Sequence, residues 1–149
     1  MGKRSGRLGI LPQGDWGLDP DFANHFAEIV GLAQATFENV TYTNDATPER
    51  AILRLQANFG HYRLFVTELF SDTIRKYRYY VLRGDWVEAG FDNSPDPRVI
   101  RLKYGRIGQA HTGEHIPHLH LNDKTHLSLT EEMTFLAFVA WVQANIKIS

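Results

Sequence analysis

Four β-prone runs separated by short turns constrain this chain more than any other feature. Leu53, Leu55, Ala57 and Phe59 alternate with Arg54, Gln56 and Asn58. Alternation with a period of two is the pattern of a half-buried strand. Tyr62 to Phe70, Arg75 to Leu82 and Trp86 to Phe91 read as three further strands. Gly60-His61, Ser71-Asp72 and Gly84-Asp85 mark the turns between them. Links this short cannot join parallel neighbours, so the four runs form an antiparallel meander.

Helices flank the meander. Asp19-Pro20-Asp21 has the chemistry of a helix start: Asp19 caps, Pro20 suits the first turn, and the acids favour the positive end of the dipole. Phe22, Phe26, Ile29, Val30, Ala33 and Phe37 follow at helical spacing as one apolar face, expected to pack on the sheet. Asn39 to Asn44 reads as β-prone or loop, and Arg98 to Tyr104 as a fifth, edge strand. Ser128-x-x-Glu131 is a capping-box pattern that would open a last helix running to about Asn145. Met133, Leu136, Ala137, Ala140 and Ala144 are expected on its inner face. Phe135, Phe138, Val139, Trp141 and Val142 fill most of the rest. A helix apolar nearly all round needs cover on more than one side, from the first helix or from a second copy of the chain.

The expected fold class is therefore α+β: an N-terminal helix, a four- to five-stranded antiparallel meander, and a C-terminal helix packed on the sheet. Residues 1–18, basic and glycine-rich, are expected to be a flexible lead to a single domain over 19–149. A chain of 149 residues with 43% hydrophobic and 22% charged residues can bury a core unaided. With no cysteine, disulfides, thiolate zinc sites and a cysteine nucleophile are excluded. The basic start is not followed by an apolar signal segment, and the longest apolar run, Phe135 to Val142, is too short to span a bilayer. A cytoplasmic protein without membrane partners is expected.

The candidate chemistry lies between Gln109 and His126. Five of the seven histidines are here: His111, His115, His118, His120 and His126. Histidine titrates near neutrality and is the commonest metal ligand, so such density suggests proton transfer or metal binding. Pro117 biases Ile116 to extended geometry, which makes His118-Leu119-His120-Leu121 extended and points both histidines to one side. Three roles fit: acid–base chemistry by two imidazoles flanking a phosphate, a nitrogen-rich metal site whose spacing is no standard zinc signature, or structural pairing with acids. Upstream, residues 75–106 carry half of the chain's Lys and Arg, interleaved with Tyr77, Tyr79, Tyr80 and Tyr104. Cations mixed with aromatics on a sheet suit single-stranded RNA. A solvated strand face with aromatics turned inward explains the same pattern.

Tyr77-Arg78-Tyr79-Tyr80, then Phe91-Asp92-Asn93-Ser94-Pro95, then Ile116-Pro117-His118-Leu119-His120, then a long apolar helix occur in this order. The series resembles the TumE-type toxin family over roughly residues 50–146. The resemblance implies a growth-inhibiting toxin acting on RNA, paired with an HTH-type antitoxin. The resulting expectation is a metal-independent ribonuclease needing no cofactor. His118 and His120 would be acid and base, with His115 third. Asp92 and Asn93 would orient an imidazole or the substrate. Arg78, Arg101 and Lys76 would hold phosphate, and Tyr79 would stack a base or donate a proton. A homodimer would form through the C-terminal helix. A non-enzymatic binding module and a metal-dependent hydrolase are the alternatives.

Overall fold

The computed structural model describes residues 20–71, 74–105 and 109–148. The expected lead over residues 1–18, the Asp19 cap and most of the Ser71-Asp72 turn lie outside these. Helix α1 spans Pro20–Thr36. Its stripe is as expected: Phe26, Ile29, Val30, Ala33 and Phe37 are buried, with Phe22 packed beside them. Strands β1 (Glu38–Thr47), β2 (Arg50–Phe59), β3 (Tyr62–Ser71), β4 (Ile74–Arg83) and β5 (Trp86–Asp92) follow. Helix α2 (Pro97–Tyr104), a short 3-10 turn, strands β6 (His118–Leu121) and β7 (His126–Leu129) and helix α3 (Phe135–Asn145) complete the chain.

All seven strands make one sheet in sequence order, each antiparallel to the next. The α+β class and the meander are as expected, and the meander is longer than the four to five strands the sequence suggested. Two-residue links enforce it from β1 to β5, while β5 and β6 are joined through α2. Gly84, at φ 61°, takes the left-handed backbone the β4–β5 turn requires, where a side chain is disfavoured. One face carries the main core. Leu53 and Leu55 of β2, Leu64 and Val66 of β3, Tyr77, Tyr79 and Val81 of β4, and Phe91 of β5 pack there with α1 and α3. Removing this apolar surface from water is the main force holding the sheet to its helices.

Three expectations are corrected. Arg98 to Tyr104 is not an edge strand. It lies in α2, because the Asp96 side chain accepts from the Arg98 N–H, Pro97 fills the first turn, and Gly105 closes the helix in the left-handed region at φ 77°. The last helix does not start at the Ser128 box. Ser128 belongs to β7, and Thr134 is the cap, its side chain accepting from the Ala137 N–H. Met133, just ahead of α3, packs on the core as expected, but within α3 the inner face is the reverse of that expected. Phe135, Phe138, Val139 and Val142 are buried, while Leu136 is 67% exposed and Ala137, Ala140 and Ala144 face outward. The large side chains pack because they recover more apolar area than alanines can.

The opposite sheet face is open over β2–β4 and covered at its far end. There α2 packs on β7, and Val99 and Ile100 join Ile116 and Leu127 in a second small core. Among the described residues no helix is long and apolar enough to cross a membrane.

Candidate active site

Register brings the candidate residues together on the open face. One cross-strand row reads Thr43, Arg54, Thr67, Arg78, Asp92, His118 and Leu129 from β1 to β7. The next reads Thr41, Gln56, Phe65, Tyr80, Gly90, His120 and Leu127. Side chains paired across antiparallel strands stand side by side on one face. Both rows begin exposed or half-buried and reach buried groups further along: Asp92 is 3% exposed, His118 1% and His120 4%. The expectation that Pro117 sets up an extended His118–Leu121 segment with both histidines on one side therefore holds.

One potential ligand atom from each of Asp92, His118 and His120 lies within 4.8 Å of the other two. The His118 and His120 rings meet edge to face, with centroids 4.9 Å apart. His118 Nδ1 donates to the Ile116 carbonyl at 2.7 Å, which makes Nε2 the ring nitrogen available to a ligand. Asp92 Oδ1 accepts from the Ser94 N–H at 2.6 Å. Among the described residues, Asp92 Oδ2 meets the Tyr80 hydroxyl at 3.3 Å and Arg78 Nε at 3.5 Å, both long contacts. His120 Nδ1 is buried without a hydrogen-bond partner among the described residues. Buried polar atoms are nearly always satisfied, so this one calls for a cause.

The electrostatics separate the groups. Burial alone would raise the Asp92 pKa, but the Ser94 hydrogen bond, with His118 and Arg78 adding to it, holds the carboxyl below its ordinary value. Burial, reinforced by His118, pushes His120 down to about 4. Tyr80 is pushed up to about 12, chiefly by burial and then by the Asp92 charge. At neutral pH the site thus holds a carboxylate, a neutral His120 and a protonated phenol.

Tyr80 reaches Asp92 across β5 because Gly90 has no side chain. A Cβ there would lie 2.8 Å from the tyrosine ring. A glycine inside a strand often marks such a close approach. Two cations stand over the same ring, Lys124 Nζ at 5.2 Å and the Arg78 guanidinium at 5.7 Å from its centroid. Lys124 is placed by the β6–β7 turn, where Asn122, Asp123 and Lys124 all have positive φ. Asp123 anchors that turn, its N–H donating to the Val87 carbonyl at 2.8 Å.

Asp92, His118, His120 and Arg78 are brought together. Other expected residues are placed elsewhere. The Asn93 side chain accepts from the Tyr77 N–H and donates to the Arg75 carbonyl and so pins the loop to β4, while its backbone carbonyl, not its side chain, holds the His115 imidazole. His115 donates through Nδ1 to the Asn93 carbonyl at 3.1 Å, beside the cluster but outside it. Tyr79 lies on the opposite face and is fully buried, its hydroxyl donating to Glu68. It cannot stack a base there, and burial and the Glu68 charge push its pKa well up. The tyrosine beside the cluster is Tyr80. Lys76 shares the Arg78 face two residues before it on β4, and Arg101 is exposed on α2. His111 stacks on Tyr104 at 3.6 Å and pairs with Glu114, while His126 is exposed. Period-two alternation already separates Tyr80 from Tyr79 once Arg78 is assigned to the site. Nothing local in the sequence marks Gly90 or Lys124.

Comparisons with protein-family models, with curated proteins and with solved structures find no match for the chain.

Proposed function

We propose that the chain cleaves phosphodiester bonds in single-stranded RNA at the Asp92–His118–His120 cluster, as the toxin of a toxin–antitoxin pair. The observation that carries the reading is the pair of cross-strand rows. They lead from an open surface bearing Arg54, Arg78, Phe65 and Tyr80 into three buried lone-pair donors. Aromatic and cationic side chains on an open sheet suit stacked bases and phosphates. A shallow depression lined by Phe65, Thr67, Arg78, Tyr80 and Leu82 adjoins the cluster and offers a base-sized seat. Arg78 then stands where a phosphate entering the cluster would meet its first positive charge, and the Tyr80 hydroxyl, held protonated, is a proton donor within the site. The order of motifs shared with TumE-type toxins supports the biological role and an HTH-type antitoxin as partner.

The test is expression of the full chain under an inducible promoter, with RNA cleavage followed in the purified protein. Growth arrest and cleavage are expected, and both are lost in His118→Ala/His120→Ala. A double variant that stays folded by circular dichroism and remains as toxic as the parent overturns the assignment. Co-purification with a small HTH protein encoded beside it is the expected sign of the partner.

A further inference from the structure

We infer that Asp92, His118 and His120 form a binding site for one divalent transition-metal ion, held through Asp92 Oδ2, His118 Nε2 and a ring nitrogen of His120. This departs from the metal-free chemistry expected of the sequence. It rests on the geometry of the three side chains and stands whether or not RNA is the substrate.

Four observations converge. The three residues are buried, with one donor atom from each within 4.8 Å of the others. Around an ion with bonds of about 2.1 Å, ligand atoms sit about 3.0–3.5 Å apart, so rotations about side-chain bonds close the set. His118 donates its other ring N–H to a backbone carbonyl. That outer hydrogen bond is the usual way a metal-binding imidazole is fixed in tautomer and orientation. Asp92 shows the same division: Oδ1 is held by the Ser94 N–H, while Oδ2, among the described residues, meets its hydrogen-bond donors at 3.3 and 3.5 Å, long contacts that a cation can replace. His120 Nδ1 is buried with no partner among the described residues, and an ion in the cluster gives the His120 ring one.

The donor set selects the ion. Two imidazoles and one carboxylate favour zinc, manganese, iron, cobalt or nickel over magnesium and calcium, which prefer all-oxygen shells. Three protein ligands leave coordination positions open for water or a substrate oxygen, the pattern of a reactive rather than a structural site. Arg78 does not block it. Its side chain is 58% exposed and its contact with Asp92 is the longest in the cluster, so it can turn towards an anion arriving at the ion. His115, His111 and His126 lie outside the ligand group, which makes them controls.

The test uses the full chain without a histidine tag, stripped with a chelator and titrated with Zn²⁺ against a chromophoric competitor. Co²⁺ absorption serves as an independent report of coordination. One Zn²⁺ per chain is expected. Asp92→Asn, nearly isosteric, is expected to weaken binding at least about tenfold, and His118→Ala or His120→Ala at least about 100-fold. His111→Ala/His126→Ala is expected to bind as the parent does. No stoichiometric binding overturns the proposal, as does binding that the surface double variant loses and Asp92→Asn retains. Should the alanine variants fail to fold, Asp92→Asn still decides. Stoichiometric Zn²⁺ with no RNA cleavage upholds the ion site and removes the nuclease reading. Undiminished cleavage by a protein without Zn²⁺ affinity does the reverse.

Discussion

Glu68 offers the most quantitative check on how the site's scaffold is held. It is 0% exposed in the middle of β3, on the core face. Its carboxylate meets His25 Nε2 at 2.7 Å, Arg75 Nη2 at 3.3 Å and the Tyr79 hydroxyl. Arg75 extends the network to Glu132 and to the Met133 carbonyl, both at 2.9 Å, just ahead of α3. One buried acid therefore ties α1, β3, β4 and the entry to α3. Glu68→Gln keeps the shape and an acceptor for Tyr79 but weakens two charge-assisted bonds, which should cost about 2 kcal/mol. Glu68→Leu leaves the Tyr79 hydroxyl and the Arg75 guanidinium without their buried partner. The cost rises to about 4 kcal/mol, because removing one member strands the rest. For a domain of this size these correspond to melting points lower by about 4–8 °C and 8–16 °C. Urea unfolding and calorimetry measure both. Leucine proving as benign as glutamine would refute the reasoning, since the network would then hold no stranded charge.

Further outcomes follow from single residues. Gly90→Ala places a Cβ about 2.8 Å from the Tyr80 ring and displaces it from Asp92; stability should change by about 1 kcal/mol or less, while cleavage falls as in Tyr80→Phe. Phe138→Ala, at a fully buried ring stacked on Tyr79, should cost about 3–5 kcal/mol in urea unfolding. Leu136→Lys, on the outward strip of α3, should leave stability within about 0.5 kcal/mol. Sedimentation of parent and Leu136→Lys tests self-association through α3: a parent dimer should become a monomer. Asp96→Ala removes the α2 cap and should cost about 1 kcal/mol.

Period and turn chemistry carried much of the fold. The α1 stripe and the alternation in β2 are visible because one side faces a core and the other water. β1 reads only as strand or loop over Asn39 to Asn44, because it is mostly exposed on both faces and has no alternation to read. α2 begins with the same Asp-Pro signal recognised at Asp19-Pro20. Its eight residues bury only Val99 and Ile100, so its composition imitated a basic edge strand. α3 is apolar all round, so spacing gives no phase, and only packing against Tyr79 and Phe91 shows which side is inner. In the candidate site, Pro117 and the alternation around His118 and His120 were legible. The partnership with Asp92 is expected only from the motif order resembling the TumE-type family; spacing alone does not give it, because it depends on the β5–β6 register, two strands whose pairing spans an intervening helix. The choice of Tyr79 over Tyr80 failed on parity alone: residues 78 and 80 share a face, and 79 does not.

The central claim is that the buried cluster, and not the histidine-rich stretch at large, is the reactive centre. Cleavage rates on a single-stranded RNA, measured for the parent, Asp92→Asn, His120→Ala and His111→Ala/His126→Ala, test it most directly. The first two variants should lose at least about 100-fold, and the surface pair should cleave as the parent does. Loss confined to the surface pair, or full activity in folded Asp92→Asn and His120→Ala, would contradict the account.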